Sequence, residues 1–188
     1  MASAAQHLIR TSELPVSAWR NGRGKTREIL STERRRLSLA LVDQAGEFSR
    51  YDGFTRVQTV VEGELLVLTV DGREQAIEQY RPFTYDGAAQ TTASLPTGPV
   101  VCLNAFAAHG TSVSVLVLEL SKKRALPLGN DQYGMLLAGH AQLATGEGGG
   151  ASGDAASLTE LDVVVGSGAD QTAVTGRGFL AVVTYTAG

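Results

Sequence analysis

The chain has 188 residues, 43% hydrophobic and 19% charged, which fits a soluble globular protein long enough to bury a core. A formal net charge of −3 and an aromatic content of 6% give no electrostatic or stacking basis for a nucleic-acid or anionic-membrane partner. One cysteine, Cys102, excludes an internal disulfide framework and a cysteine-rich metal site.

The N-terminal MASAAQHLIRTSELP lacks the uninterrupted apolar segment of a secretory signal, and no apolar run reaches the length of a membrane span, so the expected location is the cytoplasm. Residues 19–29 read WRNGRGKTREI. Asn21-Gly22 is a favoured tight-turn pair, Gly22 and Gly24 are expected at positive φ, and residues 26–29 should enter a sheet. Residues 37–42, 57–61 and 65–70 are compact apolar runs. Asp71-Gly72 then predicts a two-residue hairpin, because both positions accept positive φ. Ala76, Ile77 and Tyr80 continue beyond it. Residues 82–87, 100–106 and 113–120 form three more extended segments. After Lys122, Lys123 and Arg124 the pattern restarts, with strands expected at 135–137, 158–165 and 179–185. The intervening GEGGGASGDAA, residues 146–156, has the composition of a flexible surface loop. Sustained helical spacing is absent, so the expected fold is all-β, a sandwich or barrel, with a break near residues 121–130.

Gly24-Lys25-Thr26 resembles the end of a phosphate-binding loop. That loop needs a glycine five residues before Gly24, a strand ahead of it and a helix behind. Trp19 stands in the glycine position, Pro15 spoils the strand, and the segment between Thr26 and Leu37 is too short for the helix and two turns.

A second pattern runs through the same chain: WRNGRGKTREI (19–29), LSLALV (37–42), GEFSRYDGFTR (46–56), VVEG (60–63), PFTYDG (82–87) and LPTGPVVCLNAF (95–106). It resembles the HutD/Ves family of small cupin-fold proteins, several of which sit in bacterial histidine-utilisation gene clusters. The resemblance runs from about Leu14 to about Phe106. It implies a bicupin-like architecture: a larger N-terminal β-barrel over 1–121 and a smaller C-terminal β half-barrel over 122–188, either separate or joined in one compact domain. A homodimer through strand edges is a further expectation. The implied function is binding of a small carboxylate metabolite and modulation of histidine catabolism, with formylglutamate-like compounds as candidate ligands. Where members of the family carry Asp two places before the asparagine, this chain has Cys102 before Asn104.

Metal-dependent cupins need imidazole and carboxylate groups converging on the ion. Counting back from Val60-Val61-Glu62-Gly63-Glu64, the glutamate slot falls at Arg56, the two histidine slots near Arg50 and Asp52, and the later one at Val101 or Cys102. A guanidinium cannot ligate a cation, and His7, His109 and His140 are scattered, so no metal and no other cofactor is expected.

Arg56 instead offers a fixed charge with a fork suited to carboxylates. The candidate ligand-binding set is Trp19, Asn21, Arg27, Glu28, Arg56, Cys102 and Asn104, with no catalytic residue assigned. Structural alternatives stand beside each. Arg27 can pair with Glu28 or Glu62, Arg56 can cap an edge and Asn104 can hold a turn. Trp19 and Phe48 can be barrel core, and apolar neighbours predict a buried, inert Cys102. On a strand, Arg27 and Glu28 point to opposite faces, so only one can look inward without a bulge. Two other functions fit the sequence: a cupin-type isomerase or hydrolase acting through Glu28 and the arginines, or a structural, oligomerising β-protein.

Overall fold

The computed structural model describes residues 3–19, 22–146 and 155–188. Asn21 and most of the expected 146–156 loop lie outside the described residues; Ala155 and Ala156, at the end of that loop, begin a strand.

In chain order the strands are Leu8–Ile9 (β1), Val16–Ala18 (β2), Gly24–Ser31 (β3), Arg35–Val42 (β4), Gly46–Glu47 (β5), Phe54–Glu62 (β6), Leu65–Val70 (β7) and Arg73–Glu78 (β8). They continue with Phe83–Asp86 (β9), Thr91–Ser94 (β10), Val100–Ala108 (β11), Thr111–Leu120 (β12), Leu126–Pro127 (β13), Gln132–Ala144 (β14), Ala155–Leu158 (β15), Val163–Val165 (β16) and Ala173–Ala187 (β17). Single-turn 3-10 segments at Ala4–His7 and Thr11–Glu13 are the helical elements among the described residues. The fold is all-β, as the short apolar runs and turn residues require.

The chain forms two compact units, each discontinuous in sequence. One is Met1–Glu13 with Val115–Thr184, the other Leu14–Ser114 with Tyr185–Gly188. The boundary expected after residue 121 falls inside the first of these. The first unit is built on a seven-stranded sheet of order β1-β16-β14-β17-β12, with β13 beside β17 and β15 beside β14. Its core gathers Leu128, Leu136, Leu143, Leu158, Val164, Val174 and Leu180. The second unit has a six-stranded sheet, β2-β3-β4-β11-β6-β9, and a four-stranded sheet, β5-β10-β7-β8. Its core draws Val42, Val60, Val100 and Cys102 from the first of these and Leu66, Leu68, Ile77 and Ala93 from the second. No sheet closes on itself by strand pairing among the described residues.

Local chemistry explains the turns. Asp71 (φ 46°) and Gly72 (φ 80°) join β7 to β8, the doubly left-handed turn whose twist matches a hairpin. Residues 158–165, expected as one strand, divide between β15 and β16. Leu161 adopts φ 67°, and the Asp162 carboxylate accepts from the Thr159 N–H at 2.7 Å and its hydroxyl at 2.8 Å, closing a turn that the apolar run conceals. The carboxylate also holds the Arg10 guanidinium, so the same buried group ties the N-terminal segment to the first unit.

A cleft around a buried arginine

Gly24-Lys25-Thr26 lies within β3, not in a loop before a helix. Gly22 takes the expected positive φ, 69°, and its N–H donates to the Trp19 carbonyl at 3.0 Å. Gly24, contrary to expectation, is not at positive φ. Its hydrogen side chain serves close approach: a Cβ there would stand 2.5 Å from the Leu41 carbonyl and 2.9 Å from the Trp19 ring. The indole is held by its Nε1–H, which donates to Thr26 Oγ1 at 2.7 Å.

Strand register then assembles the site. Directly opposed residues in an antiparallel sheet point to the same face. Arg36 on β4 opposes Phe106 on β11, which opposes Arg56 on β6, which opposes Tyr85 on β9. The neighbouring row runs Glu28, Ser38, Asn104, Gln58, Phe83 across β3, β4, β11, β6 and β9. Two rows of side chains from distant sequence positions therefore share one face. Arg36, Phe106 and Arg56 of the one row and Glu28, Ser38 and Asn104 of the other line a cleft of about 540 Å³, with Trp19, Thr26, Phe48 and Tyr51 completing its walls.

Arg56 lies at the base of this cleft and is only 6% exposed. Its Nε and Nη2 donate to the single Oδ1 of Asn104, at 3.2 and 2.7 Å, and Asn104 anchors itself through Nδ2 on the Cys102 carbonyl at 3.4 Å. Arg56 Cζ lies 5.0, 5.1 and 5.4 Å from the ring centroids of Phe48, Phe106 and Tyr85. Among the described residues no carboxylate pairs with it. A guanidinium does not shed its proton in a protein, and burying an uncompensated charge costs several kcal/mol. The three aromatic faces offset part of that, at about 0.5–2 kcal/mol each.

Below the arginine, the Tyr85 hydroxyl donates to Gln58 Oε1 at 2.8 Å. Burial pushes the Tyr85 phenol up to about 12 against the opposing pull of Arg56. Gln58 Nε2 is fully buried without a hydrogen-bond acceptor. Cys102, fully buried, is pushed up to about 11 by burial, with the Gln58 amide and Arg56 acting the other way. At the cleft's outer end Arg36 Nη2 donates to Glu28 Oε2 at 3.1 Å, and Arg36 Cζ stacks 5.1 Å from Tyr51 and 6.0 Å from Phe106.

Of the residues expected to contact a ligand, Trp19, Glu28, Arg56 and Asn104 line the cleft. Arg27 does not. The pleat of β3 turns Thr26 and Glu28 inward, and Arg27 Nη1 donates to the Leu14 carbonyl at 2.9 Å instead. Cys102 belongs to the core beneath the cleft. Asn21 is outside the described residues. Trp19 and Phe48 serve as both core and lining: their rings meet edge-on at 5.8 Å and pack on the second unit's core. Sequence reasoning missed Arg36, Tyr51, Phe106 and the layer made by Tyr85 and Gln58. Arg34-Arg35-Arg36 reads as a solvated basic run; only the alternation Arg36, Ser38, Ala40 hints that one arginine turns inward. A metal does not fit this donor set, because a permanent cation stands at its centre. Among the described residues no three His, Cys, Asp or Glu side chains converge.

Comparison with known proteins agrees with this architecture. The family model described as HutD matches residues 11–182. Protein Ves of Escherichia fergusonii is 36% identical over 93 residues, which are 46% of this chain and 49% of that protein. The chain thus spans about half the length of the curated relatives it matches. A conserved protein of unknown function from Pseudomonas aeruginosa PAO1 superposes with a TM-score of 0.80 at 21% identity, covering 96% of this chain and 97% of that one. HutD from Pseudomonas fluorescens SBW25 superposes with a TM-score of 0.76 at 24% identity, covering 96% and 98%. The fold is shared and all-β, and with a family model matched over residues 11–182 the chain belongs to the HutD family.

Proposed function

We propose that the protein binds a small carboxylate metabolite in the cleft of its second unit, with Arg56 as the anion anchor. The observation that carries this is a guanidinium 6% exposed, without a carboxylate partner among the described residues, at the base of a cleft of about 540 Å³. A ligand carboxylate would supply the missing countercharge through charge-assisted hydrogen bonds. Asn104 fixes the fork, and Trp19, Phe48, Tyr51 and Phe106 provide the apolar walls usual in a metabolite site.

Membership of the HutD family supports assigning the ligand to histidine catabolism, as a formylglutamate-like intermediate whose level the protein senses or modulates. In this reading the protein acts as a binding module, its two units form a bicupin-like pair, and a homodimer is its working state.

Calorimetric titration with formylglutamate, formiminoglutamate and urocanate tests it. Saturable binding to the wild type is expected, with at least about a tenfold loss in Arg56→Lys, which keeps the charge but not the fork. Absence of binding for all three, or unchanged affinity in the variant, would overturn the assignment.

A further inference from the structure

The first unit carries a recess of its own. Across β17, β14 and β15 the register lines up Thr175, Gln142 and Ser157, and the adjoining row pairs Arg177 with His140. Alternation sends Ala141, Leu143, Leu158 and Val174 into the unit's core, so these polar residues share the opposite face of the sheet. Together with Lys122, from the segment after β12, His140, Gln142, Ser157 and Thr175 line a recess of about 440 Å³. Lys122 also borders an adjoining recess, with Lys123 and Arg177.

We infer that this recess is a binding site for a tetrahedral oxyanion, either inorganic phosphate or the phosphate of a monoester. Three observations carry it. Lys122, His140, Gln142, Ser157 and Thr175 can all donate hydrogen bonds, and among the described residues none of their side chains has a partner. Second, among the described residues no carboxylate lines the recess. Glu119 borders the adjoining one, and Glu160 accepts from the Gly139 N–H at 3.3 Å. Lys122, Lys123 and Arg177 thus concentrate positive charge on one face of a chain whose formal net charge is −3, and a concave surface of one sign gathers the opposite ion. Third, the donors come from three strands and from the segment after β12. A phosphate turns oxygens toward several directions at once, whereas a carboxylate presents two in one plane, so the spread of donors suits the former. The site belongs to a different unit from Arg56 and does not rest on the function proposed for the cleft.

The experiment is a titration of the full chain with inorganic phosphate and with glycerol phosphate, at fixed pH and ionic strength, followed by the ring resonances of its three histidines. Because Lys122 and His140 are exposed, the expected affinity is modest, roughly millimolar. The His140 signal should shift saturably with phosphate and stay put with chloride. Lys122→Gln and Arg177→Gln should each weaken phosphate binding about fivefold or more, and circular dichroism confirms that both variants are folded. Arg56→Lys should leave the His140 response unchanged, which separates this site from the cleft. Glycerol phosphate binding as tightly as phosphate supports the site with a monoester as its occupant, and binding more than about tenfold weaker supports it with free phosphate. A His140 shift that does not saturate, that chloride or acetate reproduces at equal concentration, or that survives both cation substitutions would overturn the inference.

Discussion

Two N–H groups of Arg56 converge on the single Oδ1 of Asn104, at 3.2 and 2.7 Å, inside a sheet where the two residues sit on neighbouring strands. Asn104 is thus a neutral holder: it fixes the guanidinium plane without cancelling the charge. Asn104→Asp should form an internal ion pair, cutting carboxylate affinity at least tenfold without lowering the melting temperature. Asn104→Leu leaves buried donors unmet and should destabilise the protein by about 2–4 kcal/mol. Thermal unfolding with and without ligand reads both. An aspartate variant that binds as the wild type does would contradict the neutral-holder role.

Cys102 is fully buried, with its thiol pushed up to about 11. Disulfide-exchange reagents at pH 8 should therefore label the native protein orders of magnitude more slowly than the unfolded chain. Labelling at the same rate in both states would show that the thiol is accessible.

Tyr85 and Cys102 also set an alkaline limit. Both have native values raised above their ordinary ones, from 10.0 to about 12 and from 9.0 to about 11. The native state holds these protons more tightly than the unfolded chain. Their contribution is present below about pH 9 and is lost as pH rises toward 12. Stability should fall by at least about 2 kcal/mol across that window, and Tyr85→Phe should flatten the decline. A denaturation midpoint constant from pH 9 to 11 in the wild type would rule this out.

Trp19 is the only tryptophan, and it borders the cleft with its indole N–H on Thr26. Its emission should change on ligand saturation, and an unchanged spectrum at saturation would place the ligand elsewhere.

Gly24→Ala drives a Cβ into the Leu41 carbonyl and the Trp19 ring. It should destabilise by about 1–3 kcal/mol and shift the tryptophan emission. A neutral effect on both would mean that the neighbouring strand yields.

Much of this was legible in the residues. Short β-branched runs, Asp71-Gly72 and the lack of helical spacing specified an all-β chain, because strand and turn chemistry are local. Motif order carried the family. Arg56 stands out because a cation occupies the slot of a metal-ligating glutamate, Asn104 because its amide offers both a donor and an acceptor, and the alternation of β3 frames the choice between Arg27 and Glu28. Register decided that choice. Pairing of β3 with β4, the next strand in the chain, put Glu28 inward beside Ser38 and left Arg27 on the Leu14 carbonyl. Pairing between strands dozens of residues apart drew Arg36 out of a basic run to flank Phe106, and sank Tyr85, Gln58 and Cys102 beneath the arginine. Side-chain direction follows from local alternation. Which charges share a face follows from long-range pairing and burial, and these exist only once the sheet has formed.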